Sequence, residues 1–163
     1  MSLLANLDYR RKLANQFPTS PLRVVMAHSG MHVAACQVTV DNAVIEHQLD
    51  WCAVQTKEEA LYVCAVLNSP VVTAAATPHM TSGKGGGRHI GKALWNVPIP
   101  LFDSGEPNHV ELALLGSEVE RLIAQVEIPD APHGTQRRRV RAAMTELPQT
   151  ARIDELVAEL LGA

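Results

Sequence analysis

The chain has 163 residues, of which 47% are hydrophobic and 4% aromatic, and a formal net charge of −3. That length buries a sizeable core without disulfides or a structural metal, and it suits one domain, or one domain with a helical tail. A pI of about 6.1 excludes a protein that is basic throughout, so any surface for nucleic acid has to be local.

In chain order, residues 8–14 form a short basic segment that reads as helical and is ended by Pro18 and Pro21. Residues 22–27 (LRVVMA) and 31–40 (MHVAACQVTV) read as strands joined by a Ser29-Gly30 turn. Asp41-Asn42 is a second turn, and residues 43–45 and 50–55 are further extended pieces. The expectation is a meander of three or four antiparallel strands. Thr56 and Glu59 form a capping box. Ala60, Val63, Cys64 and Leu67 then recur at helical spacing up to Asn68. Ser69-Pro70 starts a second helix that runs to about Thr77.

Residues 80–92 read as a glycine-rich loop, and residues 95–100 (WNVPIP) as an extended piece that Pro98 and Pro100 confine to a sheet edge. A long amphipathic helix follows over about residues 108–126, with Leu112, Leu115, Val119, Leu122 and Val126 on one face. The organisation expected is an α+β domain over residues 1–127, a small antiparallel sheet with packed helices, and a helical C-terminal tail over 128–163. That tail has a Pro-containing linker, a basic helix over 136–147 and a last helix. The stripe Ile153, Leu156, Val157, Leu160 and Leu161 on the last helix calls for burial against the domain or a second copy.

Cys36, Cys52 and Cys64 make an odd count without a CxxC pair, which argues against a disulfide framework or a zinc knuckle. All three sit in apolar stretches and read as buried, reduced thiols, which fits a reducing cytoplasm. The N-terminus does not read as a signal peptide, and no stretch reads as a membrane span. His28, His32 and Cys36 would share a helix face, but Gly30 and the valines favour a hairpin, so a metal site there is not expected. Catalytic signatures of the GxSxG and HExxH kinds are absent. Trp51, Tyr62 and Trp95 read as core or edge residues rather than base-stacking platforms.

The glycine loop TSGKGGGRHIGK is the most informative segment. Its glycines allow close backbone approach, while Ser82, Lys84, Arg88, His89 and Lys92 supply donors and positive charge. No Asp or Glu lies between Glu59 and Asp103. Such a loop suits a phosphate backbone, and its plain alternative is a flexible, solvated surface loop. It nearly spells a P-loop, but Ala93 stands where the magnesium-holding hydroxyl belongs, and a helix rather than a strand is expected before it. Nucleotide hydrolysis is set aside on both counts. Arg137, Arg138, Arg139 and Arg141 form a second basic cluster, which reads as a solvated helix face or as a contact for phosphate or a partner.

Three stretches together resemble a known family: VVMAHSGMHVAACQVTVDNAVIEHQLDWCAV, EEALYVCAVLNSPVV and TSGKGGGRHIGKALWNVPIPLFD. Their order, with LNSP after the EALY helix and PIP after a polar loop, is similar to the C-terminal target-recognition region of TaqI-like DNA adenine methyltransferases. Type I restriction specificity subunits show a looser version. The resemblance covers about residues 7–126. It implies a bacterial restriction-modification or methyltransferase DNA-recognition domain that docks on double-stranded DNA and is not catalytic by itself. The family's (N/D)PP(Y/F) motif and its S-adenosylmethionine site are not present. The cofactor and the chemistry would therefore belong to a methyltransferase catalytic domain or subunit. Two rival readings stand beside this one. The first is a protein-interaction or oligomerisation module, with the C-terminal helices joining copies. The second is a small phosphate-ligand enzyme that uses the glycine loop.

Overall fold

In the computed structural model, which describes residues 8–82 and 88–162, three strands form one antiparallel sheet. They are β1 (Arg23–Ala27), β2 (Ala35–Val38) and β3 (Leu49–Ala53), and their spatial order is β2-β1-β3. A meander would put β2 in the middle. β1 takes that place because it is covered on both faces: Val24 and Val25, which point opposite ways, are 2% and 6% exposed. The register pairs Val25 with Cys36 and Trp51, and Met26 with Ala35 and Asp50.

Two extended pieces read from the sequence are not strands as expected. Residues 43–45 stay outside the sheet because the Gln16 amide takes both backbone groups of Ile45, donating to its carbonyl (2.7 Å) and accepting from its N–H (2.8 Å). β2 starts later than expected, because the N–H of Val33 is already donated to Thr73 Oγ1 at 3.1 Å. The basic segment near the N-terminus folds as two short 3-10 turns, Tyr9–Arg11 and Ala14–Gln16, rather than one helix. The carboxylate of Asp8 accepts from the N–H groups of Leu13 and Ala14.

Helix α1 (Lys57–Asn68) starts at the expected cap: Thr56 Oγ1 accepts from Glu59 N at 3.0 Å, while the Glu59 carboxylate reaches one residue further back than a capping box and accepts from Gln55 N at 2.6 Å. Its buried face is broader than the expected stripe and includes Leu61, Tyr62, Ala65 and Val66. The reason is that α1 lies between the sheet and the long helix α4 (Pro107–Ile123). The LNSP segment joins three elements. The Asn68 amide accepts from the N–H of Ala35 (3.0 Å) and donates to its carbonyl (2.8 Å), which fastens edge strand β2 to α1. Ser69 caps α2 (Pro70–Ala76) by accepting from Val71 N, and donates to Asp154 Oδ1 at 2.8 Å.

Two short strands, β4 (Thr81–Ser82) and β5 (Arg88–His89), pair antiparallel within the segment expected to be all loop. A helical turn, α3 (Gly91–Leu94), follows them. The WNVPIP piece joins no strand. It is held by burial of Val97 and by Tyr62 Oη donating to the Pro100 carbonyl at 3.0 Å. Burial pushes the Tyr62 hydroxyl up to about 12. His109 is buried against Tyr62 and Phe102 and accepts from Asp103 N.

The chain closes with α5 (His133–Thr145) and α6 (Pro148–Leu161). Ile153, Leu156 and Val157 are buried in the same core as Val66, Val72 and Leu112, while Leu160 and Leu161 pack at its edge. The apolar stripe is thus used within the chain. The architecture is α+β: a small antiparallel sheet packed against several helices, with a C-terminal helical stretch. No single described helix is long and apolar enough to cross a membrane, and α1 and α2, which pass that test only as a pair bent by 64°, are built into the core.

Four expectations for individual side chains are corrected. Cys36 and Cys52 are exposed and Cys64 is half-buried, all with free thiols. The first two stand on the outer strands of the sheet, which burial covers less completely than β1. Partial burial still raises all three thiols, Cys64 to about 12. Trp95, expected in the core or at an edge, is 89% exposed because it follows α3 on its solvent side.

Arg23 stands at the start of the central strand and is 1% exposed. Its three guanidinium nitrogens have no hydrogen-bond partner among the described residues, and its charge lies 5.8 Å from the centre of the Trp51 ring on the same sheet face. A cation–π contact of this kind returns about 0.5–2 kcal/mol, whereas a buried, uncompensated charge costs several. Arg23→Met keeps the apolar stem and removes the charge. It is expected to raise stability in urea by about 1 kcal/mol. A fall in the midpoint would mean that the guanidinium contributes more than its stem.

Candidate functional site

The end of the sheet, where β1 runs out at Ala27, collects the polar chemistry. His28 follows β1 directly, and its carbonyl accepts from Ile90 N (2.9 Å) and Gly91 N (3.3 Å). Ser29 forms an antiparallel bridge with His89. Backbone bonds therefore fasten the downstream arm of the glycine segment to the sheet. The pairing of Thr81 with His89 brings the upstream arm alongside.

These contacts enclose an open pocket of about 320 Å³ lined by His28, His79, Thr81, His89 and Lys92. The His28 and His89 rings meet edge to face with centroids 5.8 Å apart. His28 Nδ1 shares a 2.9 Å hydrogen bond with Asp50 Oδ2, from β3. This bond fixes the ring and leaves Nε2 as the nitrogen available to a ligand. Among the described residues the lining holds three imidazoles, an ammonium and a hydroxyl, with the Asp50 carboxylate behind the His28 ring. Such a set offers hydrogen bonds and positive charge to an anion. Among the described residues, no group of three His, Cys, Asp or Glu side chains is placed to hold a metal ion.

The sequence singled out five residues. His89 and Lys92 line the pocket. Ser82 and Arg88 face each other as backbone partners across β4 and β5. Lys84 lies outside the described residues. Sequence reasoning missed His79 and Thr81, and it weighed His28 only as a metal ligand. His28 and Asp50 are 22 residues apart, and their contact comes from the pairing of β1 with β3. One usable signal was present: His79 and His89 bracket the glycine run, as a folded-back segment would place them.

Gly91 is where the loop and the pair touch. A Cβ there would stand 2.2 Å from Asp50 Oδ2 and 3.1 Å from His28 Nδ1. The obstructing atom is the end of a movable carboxylate, so the fold can yield while the pair cannot. Gly91→Ala is expected to leave the melting temperature within about 2 °C of wild type, since alanine also gains about 1 kcal/mol in a helical turn. It should break the His28–Asp50 bond, read as a change in the His28 ring resonances by NMR. Unchanged resonances would refute the close approach.

A larger concavity, about 460 Å³, lies between the start of α1 and α4 and is lined mainly by Leu61, Phe102, Val110, Ala113 and Leu114. Among the described residues its titratable lining groups are Lys57 and Glu58, so the smaller pocket is the one that gathers chemistry. No protein-family model, curated protein or solved structure matches the chain.

Proposed function

We propose that this chain is the DNA sequence-recognition domain of a bacterial DNA adenine methyltransferase or restriction-modification enzyme. In this reading it is non-catalytic by itself and works beside a methyltransferase domain or subunit that holds S-adenosylmethionine. The observation that carries the reading is the pocket of His28, His79, Thr81, His89 and Lys92, which gathers an ammonium, a hydroxyl and three imidazoles beside the glycine segment. It would seat a backbone phosphate, and the glycine segment with Lys84 and Arg88 would follow the groove rim. Phosphate contacts set the register of a protein on the duplex, and base contacts then specify the sequence. The resemblance to the TaqI-like recognition region rests on the order of the LNSP and PIP segments in the sequence.

The test is duplex binding by fluorescence anisotropy over a series of salt concentrations. Wild type should bind, and Lys92→Ala with His89→Ala should weaken binding and lower the salt slope by about one unit per lost phosphate contact. Wild type that binds no duplex at any salt would overturn the reading. The isolated chain should also transfer no label from S-adenosylmethionine to DNA.

A second reading has an observation in its favour. The apolar concavity between α1 and α4, with Leu114 exposed on its wall and Leu101 exposed nearby in sequence, fits a protein-interaction module. Such a module would shift no DNA.

A further inference from the structure

The basic helix α5 carries Arg137, Arg138, Arg139 and Arg141, all exposed, and no acidic residue. At 3.6 residues per turn, Arg137, Arg138 and Arg141 fall within about 100° of arc. On the adjoining face Val140, Ala143 and Met144 are half-buried, and Met144 packs against the core. Among the described residues none of these arginines is in an ion pair, and the guanidinium of Arg138 donates only to Thr135 Oγ1. The acids of α4 are engaged elsewhere: Glu111 with Arg152, Glu118 with Gln149 and Glu120 with Gln37. The nearest acids along the chain are Asp130 before the helix and Glu146 after it.

The position of this helix matters as much as its charge. The turn between β1 and β2 is tied to α2 through Val33 and Thr73, and α2 packs on α6, the partner of α5 in the C-terminal hairpin. Arg141 stands close enough to His32 in that turn for its charge to depress the imidazole, as the second cause after burial. His32 is four residues from His28, which lines the pocket. Arginine cluster and pocket therefore flank one turn.

We infer that the Arg137, Arg138 and Arg141 face of α5 is a second contact for the phosphate backbone of a nucleic-acid duplex, and that one duplex lying across the β1–β2 turn meets both α5 and the pocket. The inference rests on the DNA-binding reading above. The planar guanidinium fork matches phosphate oxygens as well as carboxylates, and it is the DNA-binding reading above that makes the partner a duplex rather than an acidic protein. Their positive charge is also concentrated locally on a chain of net charge −3, where a uniformly charged rod would be drawn to it.

The experiment compares salt-dependent binding of a mixed-sequence duplex by wild type, by Arg137→Ala/Arg138→Ala/Arg141→Ala, and by the corresponding lysine triple. The alanine triple should lower the salt slope by two to three units, at about 0.9 per lost contact, and weaken all sequences alike. The lysine triple should keep most of the slope. These side chains point to solvent, so the melting curve should not move. If it does, a single Arg138→Glu reversal in an otherwise native chain gives the same readout and should weaken binding at low salt. A triple variant with wild-type slope and affinity would refute the α5 contact and leave the DNA reading standing. Wild type that binds no duplex would refute the DNA reading and the α5 contact with it. Wild type that binds polyglutamate more tightly than duplex would replace the duplex with an acidic protein.

Discussion

Gly116→Val is expected to lower the melting temperature by about 10 °C, from a loss of about 3 kcal/mol. Gly116 sits where α4 crosses α1. A Cβ at that position would stand 2.8 Å from the Leu61 carbonyl oxygen and 3.2 Å from the Ala65 Cβ. The first of these atoms is helix backbone, so it cannot swing aside as the Asp50 carboxylate can at Gly91. Relief requires the two helices to separate, and that separation loosens the contact between Leu61, Ala65, Leu112 and Ala113 at the centre of the core. Opposing effects make Gly116→Ala a milder case. Alanine gains about 1 kcal/mol of helix propensity over glycine, but its Cβ already meets the Leu61 backbone oxygen at 2.8 Å, so it should still lower the melting temperature, by less than valine does. Valine adds two further methyl groups and a β-branch at the same crossing. Thermal melts of both variants followed by circular dichroism check the pair. A valine variant that melts within about 2 °C of wild type would mean that the helices do not approach closely there.

Leu156→Asp should cost more still. Leu156 is fully buried on α6, between α2 and α4. Removing a buried leucine side chain costs about 2–5 kcal/mol, and a carboxylate placed there must be desolvated or protonated at further cost. The sum is comparable to the whole stability of an ordinary domain, about 5–15 kcal/mol, so the variant should be largely unfolded at 37 °C. Leu160→Asp, at a half-buried position near the end of α6, should cost less than half as much. Urea unfolding with sedimentation of each variant distinguishes two explanations of the stripe. If it served to join copies, Leu156→Asp would yield a folded monomer with an unchanged midpoint. If it fills this chain's own core, the midpoint collapses.

Local signals carried far in this chain. Thr56, Glu59, Ser69 and Pro70 announce two helix starts because a cap is satisfied by residues within one turn, and both starts stand where the sequence puts them. The stripe of Ile153, Leu156 and Val157 is legible for the same reason: a helix repeats every 3.6 residues whatever it packs against. The basic, glycine-rich character of residues 82–92 is also plain from composition.

Tertiary structure alone decided the rest. Strand order depends on which strand is covered on both faces, and Val24 and Val25 give no sign of that in a run of similar residues. Residues 43–45 look extended, but they are no strand because a glutamine 29 residues upstream takes the backbone groups of Ile45. Trp95 looks like a core residue and stands in solvent. The pocket joins His28 to Asp50 across the sheet, and His79 to His89 across a short strand pair. Its chemistry comes from contacts between residues 10 (His79 and His89) to 61 (His28 and His89) positions apart, and a chain read one neighbourhood at a time holds no record of such contacts. The sequence thus determines the longer helices, the caps at Thr56 and Ser69 and the presence of a local basic segment, because those follow from interactions within a few residues. Which side chains meet, and around what space, is set by long-range packing.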